Sequence, residues 1–169
     1  TKVDAEYPDH KLAGAVFEIY LDADSDGIFN AEVDVLHGEM TETEPGIYLL
    51  EGLRCGSYFL HEKTAPYGFL RDEGYHPFRI STHGETVTVE NEAGVGFINQ
   101  PGIGGLWLTK KDVSDGKLLP GVGFRIRNED GEIVAEGYTD ENGEARFTLR
   151  VGKYTYQEFA ALEGYELDD

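Results

Sequence analysis

Two stretches of the chain, Gly56-Ser-Tyr-Phe-Leu-His-Glu62 and Gly152-Lys-Tyr-Thr-Tyr-Gln-Glu158, repeat a glycine, a tyrosine and a glutamate at the same spacings. In an extended strand alternate residues share a face. Glu62 therefore follows Tyr58 and Leu60 onto an apolar side, and Glu158 follows Tyr154 and Tyr156. A carboxyl there is costly unless it is paired or protonated. The same alternation supplies partners. Lys110 is in phase with Leu106 and Leu108, Lys2 is its counterpart in the earlier copy, and Asn99 is in phase with Val95 and Phe97. The first copy thus aims an amine, a carboxyl and a carboxamide at one core. Alternation alone leaves two outcomes equally open. One is a buried Lys-Glu ion pair with a hydrogen-bonded asparagine. The other is amide chemistry, in which burial strips the amine of its proton and the acid assists its attack on the carboxamide.

A second constellation is acidic. Asp22-x-Asp24-x-Asp26-Gly27-x-x-Asn30 places side-chain oxygens at positions 1, 3, 5 and 9 of a calcium-loop pattern, with glycine at position 6 and the Ile28 carbonyl at position 7. Position 12 is Val33, so Glu32 or Asp34 has to supply the late carboxylate. The expected ligand set is Asp22, Asp24, Asp26, Ile28, Asn30 and Asp34, with calcium as the cation. The competing reading is a solvated hairpin insertion in a strongly acidic chain.

The elements that must carry these groups read as strands throughout. Leu12 to Leu21, Ile28 to Leu36, Gly46 to Leu50, Gly56 to Glu62, Pro77 to Ser81, Thr86 to Glu90 and Val95 to Asn99 are the strands expected of the first copy. Gln100-Pro-Gly-Ile-Gly-Gly105 is a linker. Beyond it Leu119-Pro-Gly-Val-Gly-Phe124 repeats Leu12-Ala-Gly-Ala-Val-Phe17, and turns at Gly131 and Gly143 separate Ile133 to Thr139 from Glu144 to Leu149. No window carries helical periodicity over three turns. The expected fold is all-β, two tandem antiparallel β-sandwiches covering 1–101 and 102–169. The second copy stops soon after Gly164-Tyr165, so it is expected to be C-terminally incomplete, leaving Lys110 and Glu158 without an acceptor in this chain.

Composition narrows the function classes. With 33 acidic against 14 basic residues and a formal charge of -19, the chain is ill suited to nucleic acid or to anionic membrane surfaces. A single cysteine, Cys55, excludes an internal disulfide. The five histidines lack ligand-like spacing, and no multi-turnover catalytic set emerges, so an enzyme is not expected.

Several motifs together resemble the collagen-adhesin B-type (Cna-B) domains of Gram-positive surface adhesins and pilins. They are Thr-Lys-x-Asp at 1–4 and 109–112, Leu-x-Gly-x-x-Phe, Gly-x-Tyr-x-x-x-Glu, Ala65-Pro-Tyr-Gly-Phe69 and Phe97-Ile-Asn99. The resemblance implies an inverse immunoglobulin-like, prealbumin-like topology in each copy. It also implies a spontaneous isopeptide bond between Lys2 and Asn99 promoted by Glu62, with Lys110 and Glu158 as the second-copy counterparts. It implies a structural stalk or shaft module, extracellular and wall-anchored through an anchor outside this stretch. Its partners would be neighbouring domains of the same surface protein or pilus. The alternative is an adhesive module that binds a host protein or carbohydrate through the loops between residues 22 and 46, where Phe29 is the one exposed aromatic candidate.

Overall fold

Runs of aromatic and β-branched residues at period two, broken by glycine turns, give strands in both halves of the chain. The computed structural model describes residues 1–90 and 96–167. Two units result, Thr1–Pro101 and Gly102–Asp169. No helix occurs among the described residues, so none there is long and apolar enough to cross a membrane.

The first unit contains β1 (Lys2–Asp4), β2 (Val16–Leu21), β3 (Val35–Glu39), β4 (Thr41–Glu44), β5 (Ile47–Leu49), β6 (Gly56–Thr64), β7 (Tyr75–Ile80) and β8 (Phe97–Asn99). An antiparallel sheet runs in the order β3-β2-β6-β7, β4 and β5 form a hairpin, and β1 pairs with β8. That last pairing is parallel, so the first and last strands run side by side in one direction. Between these layers lies a core of Ala15, Phe17, Ile19, Tyr58, Leu60, Ile80 and Phe97. Phe97 meets Phe17 edge-on at 5.4 Å between ring centroids.

The second unit repeats the plan with β9 (Ile103–Thr109), β10 (Gly123–Arg127), β11 (Ile133–Tyr138), β12 (Glu144–Arg150) and β13 (Thr155–Ala160). Its sheets are β11-β10-β13 and β12-β9, all pairings antiparallel, over a core that includes Val122, Phe124, Ile126 and Phe147. The Gly-x-Tyr repeat has a local purpose in both units. Tyr58 donates its hydroxyl proton to the Arg54 carbonyl and Tyr154 to the Arg150 carbonyl, each at 2.9 Å, so the ring of each folds back across the turn that precedes its strand.

Two expected strands are corrected. Residues 28–34 are turns, and the strand begins at Val35, because Asp34 accepts the backbone N–H groups of Ala23 and Asn30 and holds the segment in a loop. Residues 86–90 keep their alternation, with Val87 and Val89 against the core, but join no ladder. The last strand is Phe97–Asn99, and Val95 lies outside the described residues.

The outer face of β6 is also covered. Phe59 is 1% exposed, because the insertion after β2 folds back and brings Phe29 onto it. Phe29 in turn stacks on Tyr75 with centroids 3.5 Å apart, and Tyr75 stacks on His61 at 4.2 Å.

Candidate functional site

The lysine backbone is fixed before its side chain acts. Lys2 donates its N–H to the Gly46 carbonyl at 2.7 Å, and its own carbonyl accepts from Leu12 N–H at 2.9 Å. Gly46 makes this possible by adopting φ +72°. A Cβ there would stand 2.8 Å from Lys11 Cβ and 2.9 Å from Leu12 N. The second unit repeats the clamp. Lys110 N–H donates to the Gly143 carbonyl at 2.9 Å and Leu119 N–H to the Lys110 carbonyl at 3.1 Å, with Gly143 at φ +67°. From sequence, Gly143 is a turn glycine and Gly46 the first residue of a strand, with no link from either to a lysine. The signal that marks both is a glycine opening the strand after a polar turn, at equivalent places in the two copies.

The β1–β8 register sets Lys2 beside Phe97 and Asp4 beside Asn99, so Lys2 and Asn99 are diagonal neighbours on one face. Glu62 comes from β6 in the facing sheet, opposite Phe17 of β2. Lys2 and Glu62 are 0% exposed and Asn99 2%. The three side chains close on each other. Lys2 Nζ donates to Asn99 Oδ1 and lies 3.1 Å from Glu62 Oε1. Asn99 Nδ2 donates to both Glu62 oxygens, at 3.0 and 2.9 Å. The Asp72 N–H donates to Glu62 Oε2 at 2.8 Å and fixes the carboxyl from behind. Asp72 had no assigned role, and its only sequence signal is a short Asp-x-Gly turn after β6. The turn is tied by Gly74 N–H to Asp72 Oδ1 at 2.7 Å, and Asp72 Oδ2 meets His76 Nε2 at 3.1 Å.

Burial pulls the Lys2 amine down from 10.5 to about 8, against the opposing pull of the Glu62 carboxylate. The rings of Phe97 and Phe17 complete its surroundings, 4.4 and 5.7 Å from Nζ. An amine of that pKa is a neutral nucleophile for a substantial fraction of the time near neutral pH. It sits on the oxygen of a carboxamide whose nitrogen rests on an acid-base group. Chemically the set is equipped for acyl transfer from nitrogen to nitrogen.

The second unit brings the corresponding lysine and glutamate together. Lys110 Nζ lies 2.7 Å from Glu158 Oε2, with the glutamate side chain 3% exposed and the lysine 23%. Strand phase holds as read. Leu106, Leu108 and Lys110 face inward, while Trp107 faces out at 59% exposure, beneath the Arg146 guanidinium at 4.1 Å.

The acidic insertion partly follows its pattern. One oxygen from each of Asp22, Asp24 and Asp34 lies within 4.8 Å of the others. Asp26 stands outside this group, its Oδ1 accepting Ile28 N–H at 2.7 Å, and Asn30 Oδ1 accepts Glu32 N–H at 3.0 Å. Ile28 is 70% exposed. Of the two candidates for the late carboxylate, Asp34 is buried within the group and Glu32 is exposed.

Comparison with known proteins agrees with this architecture. A solved structure of the Bacillus anthracis TIE protein is 35% identical and covers 100% of this chain, with a TM-score of 0.74. This chain spans 29% of that protein's length. The C-terminal fragment of the pilus adhesin SpaC from Lactobacillus rhamnosus GG is 16% identical and shares the fold, covering 98% of this chain and 75% of its own, with a TM-score of 0.53. Comparison with functionally curated proteins gives no significant match. The family model described as the SpaA prealbumin-like fold domain matches residues 1–93 and again 104–169, and the chain belongs to that family.

Proposed function

We propose that the first unit forms an intramolecular isopeptide bond between Lys2 and Asn99. The chain would then serve as a structural module in the stalk or shaft of a Gram-positive cell-surface adhesin or pilin. The observation that carries the reading is that one buried carboxyl, Glu62, touches both the attacking nitrogen and the departing one. Neutral Lys2 Nζ attacks Asn99 Cγ, the new C–N bond forms, and the Cγ–Nδ2 bond breaks. Glu62 takes the proton that Nζ sheds and returns it to Nδ2, which leaves as ammonia. The strands hold the reactants in place, which compensates for the poor reactivity of a carboxamide. The event happens once per molecule, so the module is not an enzyme.

The surface role rests on family membership and on the motif resemblance to collagen-adhesin B-type domains. A cross-link between the first and last strands, 97 residues apart, suits a module that must resist extension and proteolysis. Its partners would be neighbouring domains of the same surface protein or pilus. The host-ligand alternative loses its main candidate, since Phe29 is occupied by stacking on Tyr75.

Intact-mass measurement of the folded chain tests the bond. The expected result is a deficit of one ammonia, with fragment spectra joining the Lys2 and Asn99 peptides. A mass equal to that of the unmodified sequence would overturn the reading.

A further inference from the structure

The insertion between β2 and β3 turns part of its acidity inward. Asp22 and Asp34 are only 5% and 8% exposed, and their carboxylates gather with that of exposed Asp24 to within 4.8 Å. Three carboxylates so close repel one another, the more so where two are withdrawn from water. Among the described residues, no lysine or arginine forms an ion pair with any of them. Backbone amides satisfy most of their oxygens. Gly27 N–H donates to Asp22 Oδ2 at 3.2 Å, Ala23 N–H to Asp34 Oδ1 at 3.0 Å and Asn30 N–H to Asp34 Oδ2 at 2.7 Å. Exposed Asp24 accepts the Asp26 N–H at 3.4 Å through Oδ1, whereas Asp22 Oδ1 is buried and has no hydrogen-bond partner. An orphaned, buried carboxylate oxygen calls for a ligand that brings positive charge.

We propose that Asp22, Asp24 and Asp34 bind a calcium ion. Every side-chain donor here is a hard oxygen, and residues 22–34 contain no histidine or cysteine, which disfavours zinc and copper. Calcium-oxygen bonds of about 2.3–2.6 Å put ligands on opposite sides of the ion up to roughly 5 Å apart. The carboxylate group falls within that span. Calcium accepts six to eight oxygens in irregular geometry, so loop carbonyls and water complete its shell, whereas magnesium demands a near-ideal octahedron. The ligand set differs from the linear loop pattern in that Asp34 closes the ring and Asp26 and Asn30 stay at the surface capping their own turns. The ion would tie the end of β2 to the start of β3 and hold Phe29 against Phe59 and Tyr75.

Calcium chloride titrated calorimetrically into the chelator-treated chain at physiological salt tests the site. The expected result is a single saturable binding event with a dissociation constant in the range of about 0.1 to 1 mM or tighter, together with a calcium-dependent rise in melting temperature that magnesium does not match. Asp24→Asn, at an exposed position that leaves the fold intact, is expected to weaken binding by roughly tenfold or more. Two results would overturn the site. One is no saturable heat and no change in melting temperature at about 10 mM calcium. The other is wild-type affinity in both Asp24→Asn and Asp22→Asn, which would assign the binding to the general acidic surface.

Discussion

Both carboxylate oxygens of Glu62 accept from the same atom, Asn99 Nδ2, at 3.0 and 2.9 Å. The carboxyl therefore sits at the leaving-group end of the carboxamide, while the Lys2 amine occupies the carbonyl end. In the proposed reaction this placement suits Glu62 to the proton transfers. Asp72 matters for the same reason. Its N–H, 2.8 Å from Glu62 Oε2, limits rotation of the carboxyl away from either nitrogen.

Glu62→Gln is expected to keep the packing and abolish the bond, because an amide cannot relay a proton between Nζ and Nδ2. Intact mass should show the full unmodified value, against a deficit of one ammonia in the parent chain. Glu62→Ala should fail in the same way and also leave Lys2 buried without its counter-charge, a loss of about 3–5 kcal/mol in chemical denaturation. Ammonia loss in both variants would remove Glu62 from the reaction.

Asn99→Ala should reveal what the cross-link contributes. Lys2 and Asn99 are 97 residues apart. Closing a loop of that size restricts the unfolded chain by about 4 to 5 kcal/mol in the chain-entropy treatment of disulfides. For a unit of this size that corresponds to a fall in melting temperature of about 20 °C or more. Lys2→Met also loses the bond and in addition leaves Glu62 buried without its counter-charge, so it should melt below Asn99→Ala, which keeps the ion pair. Equal melting of Asn99→Ala and the parent chain would argue that no bond forms.

Glu62 and Asn99 are legible because strand alternation is a strict period and each is a polar residue in phase with apolar ones. Lys2 is legible as the counterpart of Lys110, which is in phase with Leu106 and Leu108. Where they meet is not legible, since that depends on β1 and β8 pairing in parallel across nearly the whole first unit. Period also fails where side chains take over the backbone's hydrogen bonding. Asp34 captures the N–H groups of Ala23 and Asn30, so residues 28–34 form a loop despite β-branched residues among them. Alternation at Val87 and Val89 reported burial correctly but carried no information about pairing. Gly46 and Asp72 act through backbone groups, which residue type alone does not display.

The pH dependence of bond formation follows from Lys2. Burial lowers its pKa to about 8, with Glu62 pulling the other way. Below that value the reactive neutral amine falls about tenfold per pH unit. Unreacted chain refolded from denaturant should lose ammonia slowly at pH 5, faster at pH 7 and at a rate that levels off above about 8. Timed intact-mass sampling reads this out. The same shift affects stability before reaction. The folded amine holds its proton less tightly than the unfolded one, so the cost of burying it charged is fully present and independent of pH below about 8, and stability should rise as pH goes from about 8 towards 10.5. A rate that falls between pH 5 and 8 would contradict the neutral-amine mechanism.

Gly46 tests whether the backbone clamp positions the amine. Alanine there must adopt φ +72° and place its Cβ 2.8 Å from Lys11 Cβ and 2.9 Å from Leu12 N. Strain of this kind costs about 1–3 kcal/mol. The displaced strand should also draw Lys2 away from Asn99, because the Gly46 carbonyl is what holds the Lys2 N–H. Gly38→Ala is the control, since nothing lies within 4 Å of a Cβ at that position and its φ is not in the left-handed region. Measured in the Asn99→Ala background, where no bond can form, Gly46→Ala should lower stability by that amount and Gly38→Ala should leave it nearly unchanged. In the reactive chain, Gly46→Ala should slow ammonia loss and Gly38→Ala should not. If both variants react at the parent rate, the clamp serves the fold and not the chemistry.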